Sequence, residues 1–215
     1  DNLVFQIYLN MKTVLLALSL LASAACSVDV NEVLEIGKTA PMAGHKMMDV
    51  SGKALSLDDI KEENGLLVVF SCNTCPFVVG GRGEGWEGRY NLVHDQCQEL
   101  GIGMVLVNSN EAKRDGDDSL EKMKAHAKQE GYRSYYVVDE KSVLADAFGA
   151  RTTPHIYMFN NSMELVYKGA IDDNVDSSAE VEEPWLTNAI SNLAAGKTID
   201  PNSTKNLGCS IKRVK

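Results

Sequence analysis

Positive charge is in short supply: the 215 residues hold 21 Lys and Arg against 30 Asp and Glu, a formal net charge of -9, and no block is rich in Lys or Arg. An acidic chain without a basic stripe fits a phosphate backbone poorly, so no nucleic-acid partner is expected. Long apolar runs are missing too. The run that follows Lys12 is about a dozen residues, short of the roughly 20 that cross a bilayer. Five cysteines are too few for a disulfide-built scaffold, so their positions carry more information than their number. There is no internal repeat and no low-complexity linker. What is present is the balance of a folded soluble chain, 44% hydrophobic and 24% charged, with length for one domain of ordinary size.

Met11 and Lys12 precede the apolar run, and small residues (Ala22, Ser23, Ala24, Ala25) close it. One positive charge, a short apolar stretch and a small-residue end describe an export signal. Residues 1–25 are therefore read as upstream residues plus signal peptide and left out of the fold. The segment from Leu21 to Cys26 resembles a bacterial lipoprotein signal, which would make Cys26 a lipid attachment point. A cut after Ala24 by an ordinary signal peptidase is the alternative. Both place the mature chain in the periplasm or cell envelope, and the first anchors it to the membrane as a lipoprotein.

Downstream, residues 26–36 read as a linker, 37–196 as one domain and 197–215 as a polar C-terminal tail. Ser51, Gly52 and Lys53 make a turn signal between short strands. Residues 66–70, 104–107 and 135–138 are short apolar runs rich in β-branched residues, typical of strands buried on both faces. Helical periodicity appears over 86–100, with Tyr90, Val93 and Cys97 on one face. It returns over 120–130 behind Asp118 or Ser119 as cap, and over 142–148 before Gly149. Residues 155–159 and 164–167 form a hairpin around Asn160 and Asn161, and Pro184 and Trp185 open a last helix. Strands alternating with helices, followed by a hairpin and a helix, predict an α/β domain with a central mixed sheet covered on both faces.

Chemistry concentrates at Cys72-Asn73-Thr74-Cys75-Pro76, directly after the first buried strand. Two cysteines separated by two residues at a helix start can close a disulfide across one turn, and the free N–H groups there favour a thiolate. Neither Cys97 nor Cys209 belongs to a second ligand pair, which argues against structural zinc. Inert buried cysteines are the other alternative. The second element is Arg151-Thr152-Thr153-Pro154, about eighty residues on and at the head of the hairpin. A cis bond before Pro154 would turn the backbone groups of Thr153 outward, toward an extended substrate beside the cysteines.

On these residues the chain resembles the thioredoxin superfamily, and within it the extracytoplasmic branch that joins TlpA/ResA-type thiol–disulfide oxidoreductases to redoxin, peroxiredoxin-like (AhpC/TSA) proteins. The resemblance spans about 37–195. It implies a thioredoxin fold with an N-terminal β-hairpin extension and a redox-active cysteine pair acting on protein disulfides. Cys72 would be the exposed attacking thiol and Cys75 the resolving one, with Thr153 and Pro154 as the substrate-binding cis-proline loop. The pair itself carries the electrons, so no cofactor or resident metal is expected. A membrane-bound or soluble thiol would serve as electron donor.

Two departures open alternatives. Ser71 stands where a tryptophan is usual, and proline follows the second cysteine at Pro76 instead of lying between the two. Proline suits the first helical position and makes Cys75 a helix cap. That arrangement also resembles peroxiredoxins, with Cys75 as the peroxide-attacking thiol and Arg151 as the arginine that steadies it. The usual threonine three positions earlier is replaced by Cys72. His155 suggests a further alternative, a copper-binding site of Cys72, Cys75 and His155 similar to copper-delivering redoxin relatives. Cys209, in Gly208-Cys209-Ser210-Ile211-Lys212, resembles the C-terminus of peroxiredoxin-like members of the branch. It could resolve an intermediate, pair with Cys97, or do neither.

Overall fold

In the computed structural model, residues 32–81 and 83–214 are described; the signal segment and Cys26 lie outside them. The apolar run after Asn64 becomes β3 (Gly65–Ser71), buried at every position. β3 pairs in parallel with β4 (Ile102–Asn108), and β4 pairs in parallel with β5 (Tyr135–Val138). On its other side β3 runs antiparallel to β7 (His155–Phe159), which turns into β8 (Leu165–Gly169). The N-terminal hairpin, β1 (Met47–Asp49) and β2 (Ala54–Leu55), extends the sheet beyond β5. The order is β2-β1-β5-β4-β3-β7-β8, a mixed sheet.

Alternation along β3 divides the core in two. Leu67 and Val69 face a cluster that contains Cys72, Cys75, Tyr90, Cys97 and Ile190. Leu66, Val68 and Phe70 face Phe148, Tyr157 and Phe159 on the other side. Helices cover both faces. α1 (Leu57–Ile60) begins at a capping box in which Ser56 and Asp59 satisfy each other's backbone N–H groups. α2 (Pro76–Val79) follows the cysteine pair, and α3 (Tyr90–Glu99) turns Tyr90, Val93 and Cys97 into the core as the periodicity requires. α4 (Leu120–Gln129) starts at Ser119, whose hydroxyl accepts the N–H of Lys122 at 3.3 Å. α5 (Val143–Phe148) ends on left-handed Gly149, and α6 (Trp185–Ala194) buries Leu186, Ala189 and Ile190.

The polar C-terminal segment is pinned to the domain. β9 (Cys209–Ser210) pairs antiparallel with β6 (Thr152–Thr153), with Thr153 opposite Cys209. Beyond it Ile211 is buried, its N–H bonds Arg151 O at 2.9 Å, and Lys212 N–H bonds the Asn110 side chain at 2.8 Å. Arg213 donates to Asp146 and to Ala150 O. A strand of two residues has no readable alternation, so composition alone leaves this stretch looking like a solvated tail. Among the described residues no helix is long and apolar enough to cross a membrane.

Candidate redox site

The cysteine loop sits where β3 leaves the sheet. α2 is a single turn, with Pro76 at its first position and Cys75 in extended conformation as its cap. Gly80 at φ 80° ends it, and the glycine run folds back so tightly that a Cβ on Gly85 would lie 2.2 Å from the Gly80 nitrogen. So short a helix contributes little dipole, and the electrostatics of the site come from its nearest neighbours.

Three of those neighbours are decisive. Cys75 Sγ lies 3.0 Å from Thr153 O, to which it donates while protonated, Cys72 Sγ lies 3.1 Å from Thr153 Oγ1, and the Cys209 N–H points at Cys75 Sγ at 3.4 Å. The Thr153–Pro154 peptide is cis. The Cys75 thiol is held well below its ordinary value, first by the hydrogen bond from Cys72, with further support from the side chain and backbone N–H of Cys209 and the backbone N–H of Phe77. Cys72 is pushed far up, first because its S–H donates a hydrogen bond to Cys75 and so resists losing its proton, then by burial; the charge of Asp118 adds to this. All four described cysteines are free thiols.

The exposure that the resemblance implies for Cys72 is not found, since both cysteines are buried. Cys72 is 2% exposed, and its thiol resists ionisation. Cys75, itself only 3% exposed, is the more acidic of the two, its pKa lowered to about 5. The strand edge at Thr152 and Thr153, expected to receive a substrate, is occupied by β9 of the same chain. Gly208 makes that approach feasible, since a Cβ there would lie 2.4 Å from Thr153 O.

The metal alternative is not assembled. His155 is paired with Phe70 in the sheet and packs beside Tyr157, on the face opposite the cysteines. Tyr157 OH approaches its Nδ1 at 3.3 Å, and burial pushes its ionisation down to about 3. Among the described residues no three His, Cys, Asp or Glu side chains converge in a metal-binding group. Arg151 is exposed and, with His155 and Lys168, lines a cavity of about 380 Å³. Cys97 is buried and pushed up to about 12, which leaves it unreactive, and Cys209 lies beside Cys75.

Sequence reasoning missed the groups that hold the loop. Asp118 is fully buried and accepts the Asn73 N–H at 2.9 Å, with Asn108 and Asn110 donating to the same carboxylate. Tyr136 OH donates to the Asn73 side chain at 2.9 Å, which completes a network fixing the loop between the cysteines. The available signal was Asn108, Ser109 and Asn110, a polar run directly after a fully apolar strand. On the other side of Cys75, a cavity of about 300 Å³ opens beside Pro76 and Phe77, bounded by Gly81, Gly83, Gly85 and Val175.

No known protein-family profile matches the chain, and no curated protein does. Solved structures do. An uncharacterized conserved protein from Geobacillus kaustophilus is similar at 29% identity, over 85% of this chain and 94% of that one, with a TM-score of 0.76. The peroxidoxin BcpB from Mycobacterium tuberculosis matches 77% of this chain and 99% of its own at 13% identity and a TM-score of 0.53. The thioredoxin domain of a thiol-disulfide oxidoreductase from Bacteroides vulgatus matches 64% and 89%, at 19% identity and a TM-score of 0.50. The fold is therefore the thioredoxin fold.

Proposed function

We propose that this thioredoxin-fold chain is an extracytoplasmic thiol–disulfide oxidoreductase that stores two electrons on the Cys72–Cys75 couple and exchanges them with protein disulfides. The observation that carries the reading is a pair of free thiols with two residues between them, both sulfurs packed against Thr153 of a cis-proline loop, with the Cys75 pKa lowered beside the Cys72 thiol. Such a pair is prepared to pass from dithiol to disulfide. The Cys75 thiolate attacks a sulfur of the partner disulfide and forms a mixed disulfide, with one partner thiolate leaving. Cys72 then displaces the second partner thiol, loses its proton, and closes Cys72–Cys75. A donor thiol returns the pair to the dithiol.

Two experiments test this. Reduced protein should reduce insulin disulfides with a donor thiol, Cys75→Ser should abolish the reaction, and Cys72→Ser should abolish closure of the internal Cys72–Cys75 disulfide. Undiminished turnover in both variants ends the proposal. The export segment before Cys26 supports an envelope location, and fractionation of cells carrying the full chain tests it. Palmitate labelling that Cys26→Ser abolishes would identify the lipid anchor.

A second reading has its own support. Cys75, the cap residue directly before Pro76 at the helix start and the more acidic thiol of the pair, also resembles the arrangement of a peroxide-attacking thiol. Hydrogen peroxide consumption that survives Cys72→Ser and fails in Cys75→Ser would favour a peroxidase.

A further inference from the structure

Both sulfurs of the proposed couple are nearly sealed, so an outside sulfur has little direct approach to either. The chain's own C-terminal strand lies over Thr153 and against Cys75, and it carries a cysteine at the position opposite Thr153. We propose that Cys209 is a third redox-active thiol, a relay that connects the buried Cys72–Cys75 couple to its partners through a transient Cys75–Cys209 disulfide. The inference rests on the function proposed above.

Four observations carry it. β9 adds an antiparallel strand to Thr152 and Thr153 beside the cis-proline peptide, the edge to which an extended segment can pair. The Cys209 N–H donates to Cys75 Sγ at 3.4 Å, which places the two residues side by side. Gly208 allows the close approach, and Ile211, Lys212 and Arg213 pin the strand from the far side. Cys209 is half-buried while Cys72 and Cys75 are buried, so of the three it is the one that solvent reaches.

The exchange balances without an additional oxidant. With Cys72 and Cys75 joined, the Cys209 thiolate attacks Cys75 Sγ. The Cys75–Cys209 bond forms, the Cys72–Cys75 bond breaks, and Cys72 takes up the proton that Cys209 released. No electrons are gained or lost in this step. An external thiolate then attacks Cys209 Sγ and expels Cys75, and a second external thiol releases Cys209 as external disulfide leaves. The two external thiols are oxidised and the couple is reduced. Cys75 suits the leaving role, because the thiol with the lower pKa departs faster. The Cys209 thiol is pushed up to about 11 by burial first, then by its hydrogen bond to Cys75 and the charge there. Oxidation of Cys75 removes the last two causes at the moment Cys209 is needed.

The test uses the full chain carrying Cys26→Ser. Cys72→Ser protein is oxidised with diamide and mapped as non-reduced peptides; a Cys75–Cys209 linkage is expected. In parallel, oxidised Cys209→Ser protein is reduced with glutathione. Its Cys72–Cys75 disulfide should still form, and its reduction should slow by about tenfold or more. Absence of the Cys75–Cys209 linkage, or reduction of Cys209→Ser at the wild-type rate, overturns the relay and leaves the oxidoreductase reading standing. If oxidised wild-type protein contains neither the Cys72–Cys75 nor the Cys75–Cys209 linkage, both readings fall together.

Discussion

Replacing Cys72 by alanine tests the origin of the thiolate most directly. The hydrogen bond from Cys72 is the leading cause of the low Cys75 pKa, which stands at about 5 against 9.0 for an unperturbed thiol. A hydrogen bond to a charged group contributes about 1.5–3 kcal/mol, and about 1.36 kcal/mol corresponds to one pH unit. Its loss should therefore move the Cys75 midpoint up by about 1 to 2 pH units. The assay is thiolate ultraviolet absorbance against pH on reduced protein with Cys26→Ser. Cys97 and Cys209 titrate near 12 and 11, so the low-pH wave belongs to Cys75. Cys72→Ser keeps a donor at the same place and should rise less than Cys72→Ala. An unmoved midpoint in the alanine variant would refute this account and transfer the thiolate's support to Cys209 and the α2 backbone. A rise of equal size in both variants would mean that packing, not the hydrogen bond, sets the value.

The remaining predictions concern what surrounds the pair. Gly208→Ala places a methyl group against Thr153 O, so β9 must shift away; alkylation of Cys75 by iodoacetamide should accelerate, and an unchanged rate would mean that the strand is not the seal. Asp172 accepts both the buried Arg89 guanidinium at 2.8 Å and the Trp86 indole N–H at 2.8 Å. Asp172→Ala strands that buried cation and should lower the urea unfolding free energy by about 3–5 kcal/mol, and a smaller loss would show that Arg89 finds water or another anion. Stability should also report on Cys75. Its folded pKa lies below the unfolded value, so its contribution is complete above 9.0 and is lost as pH falls through about 5. The difference in unfolding free energy between reduced wild type and Cys75→Ala should accordingly grow with pH across that window, and a flat difference would contradict the depressed value.

The sheet was legible because its strands announce themselves. Residues 135–138 and 155–159 are strands over the same residues as read, and 66–70 and 104–107 lengthen by one or two residues at each end. Each of the two lengthened runs is flanked by glycine and a small polar residue that belong to the ladder without adding to the apolar signal. The cysteine pair and the Thr153-Pro154 loop were legible for a different reason, since both are short and local. The buried anchor at Asp118 was not, because an aspartate beside Asp117 and Ser119 reads as a helix cap until Asn73, Asn108 and Asn110 arrive from elsewhere in the chain. Cys209 was the hardest. Its meaning depends on pairing with Thr153, 56 positions earlier, and no periodicity encodes a partner at that distance.

That long-range pairing also explains why the roles of the two loop cysteines could not be assigned from order along the chain. In a cysteine pair read by position, the first sulfur lies nearer solvent and attacks. Here the first is turned under Thr153, and the second faces the end of the chain. Ionisation is therefore harder at Cys72, where burial and the nearby Asp118 carboxylate oppose a negative charge, and easier at Cys75, where N–H groups from two separate segments approach the sulfur. A thiolate stabilised by a strand that also blocks access is of little use to a freely diffusing partner. It is of use if the blocking strand supplies the next sulfur. The burial of the pair and the placement of Cys209 thus call for one explanation, and a relay through Cys209 accounts for both.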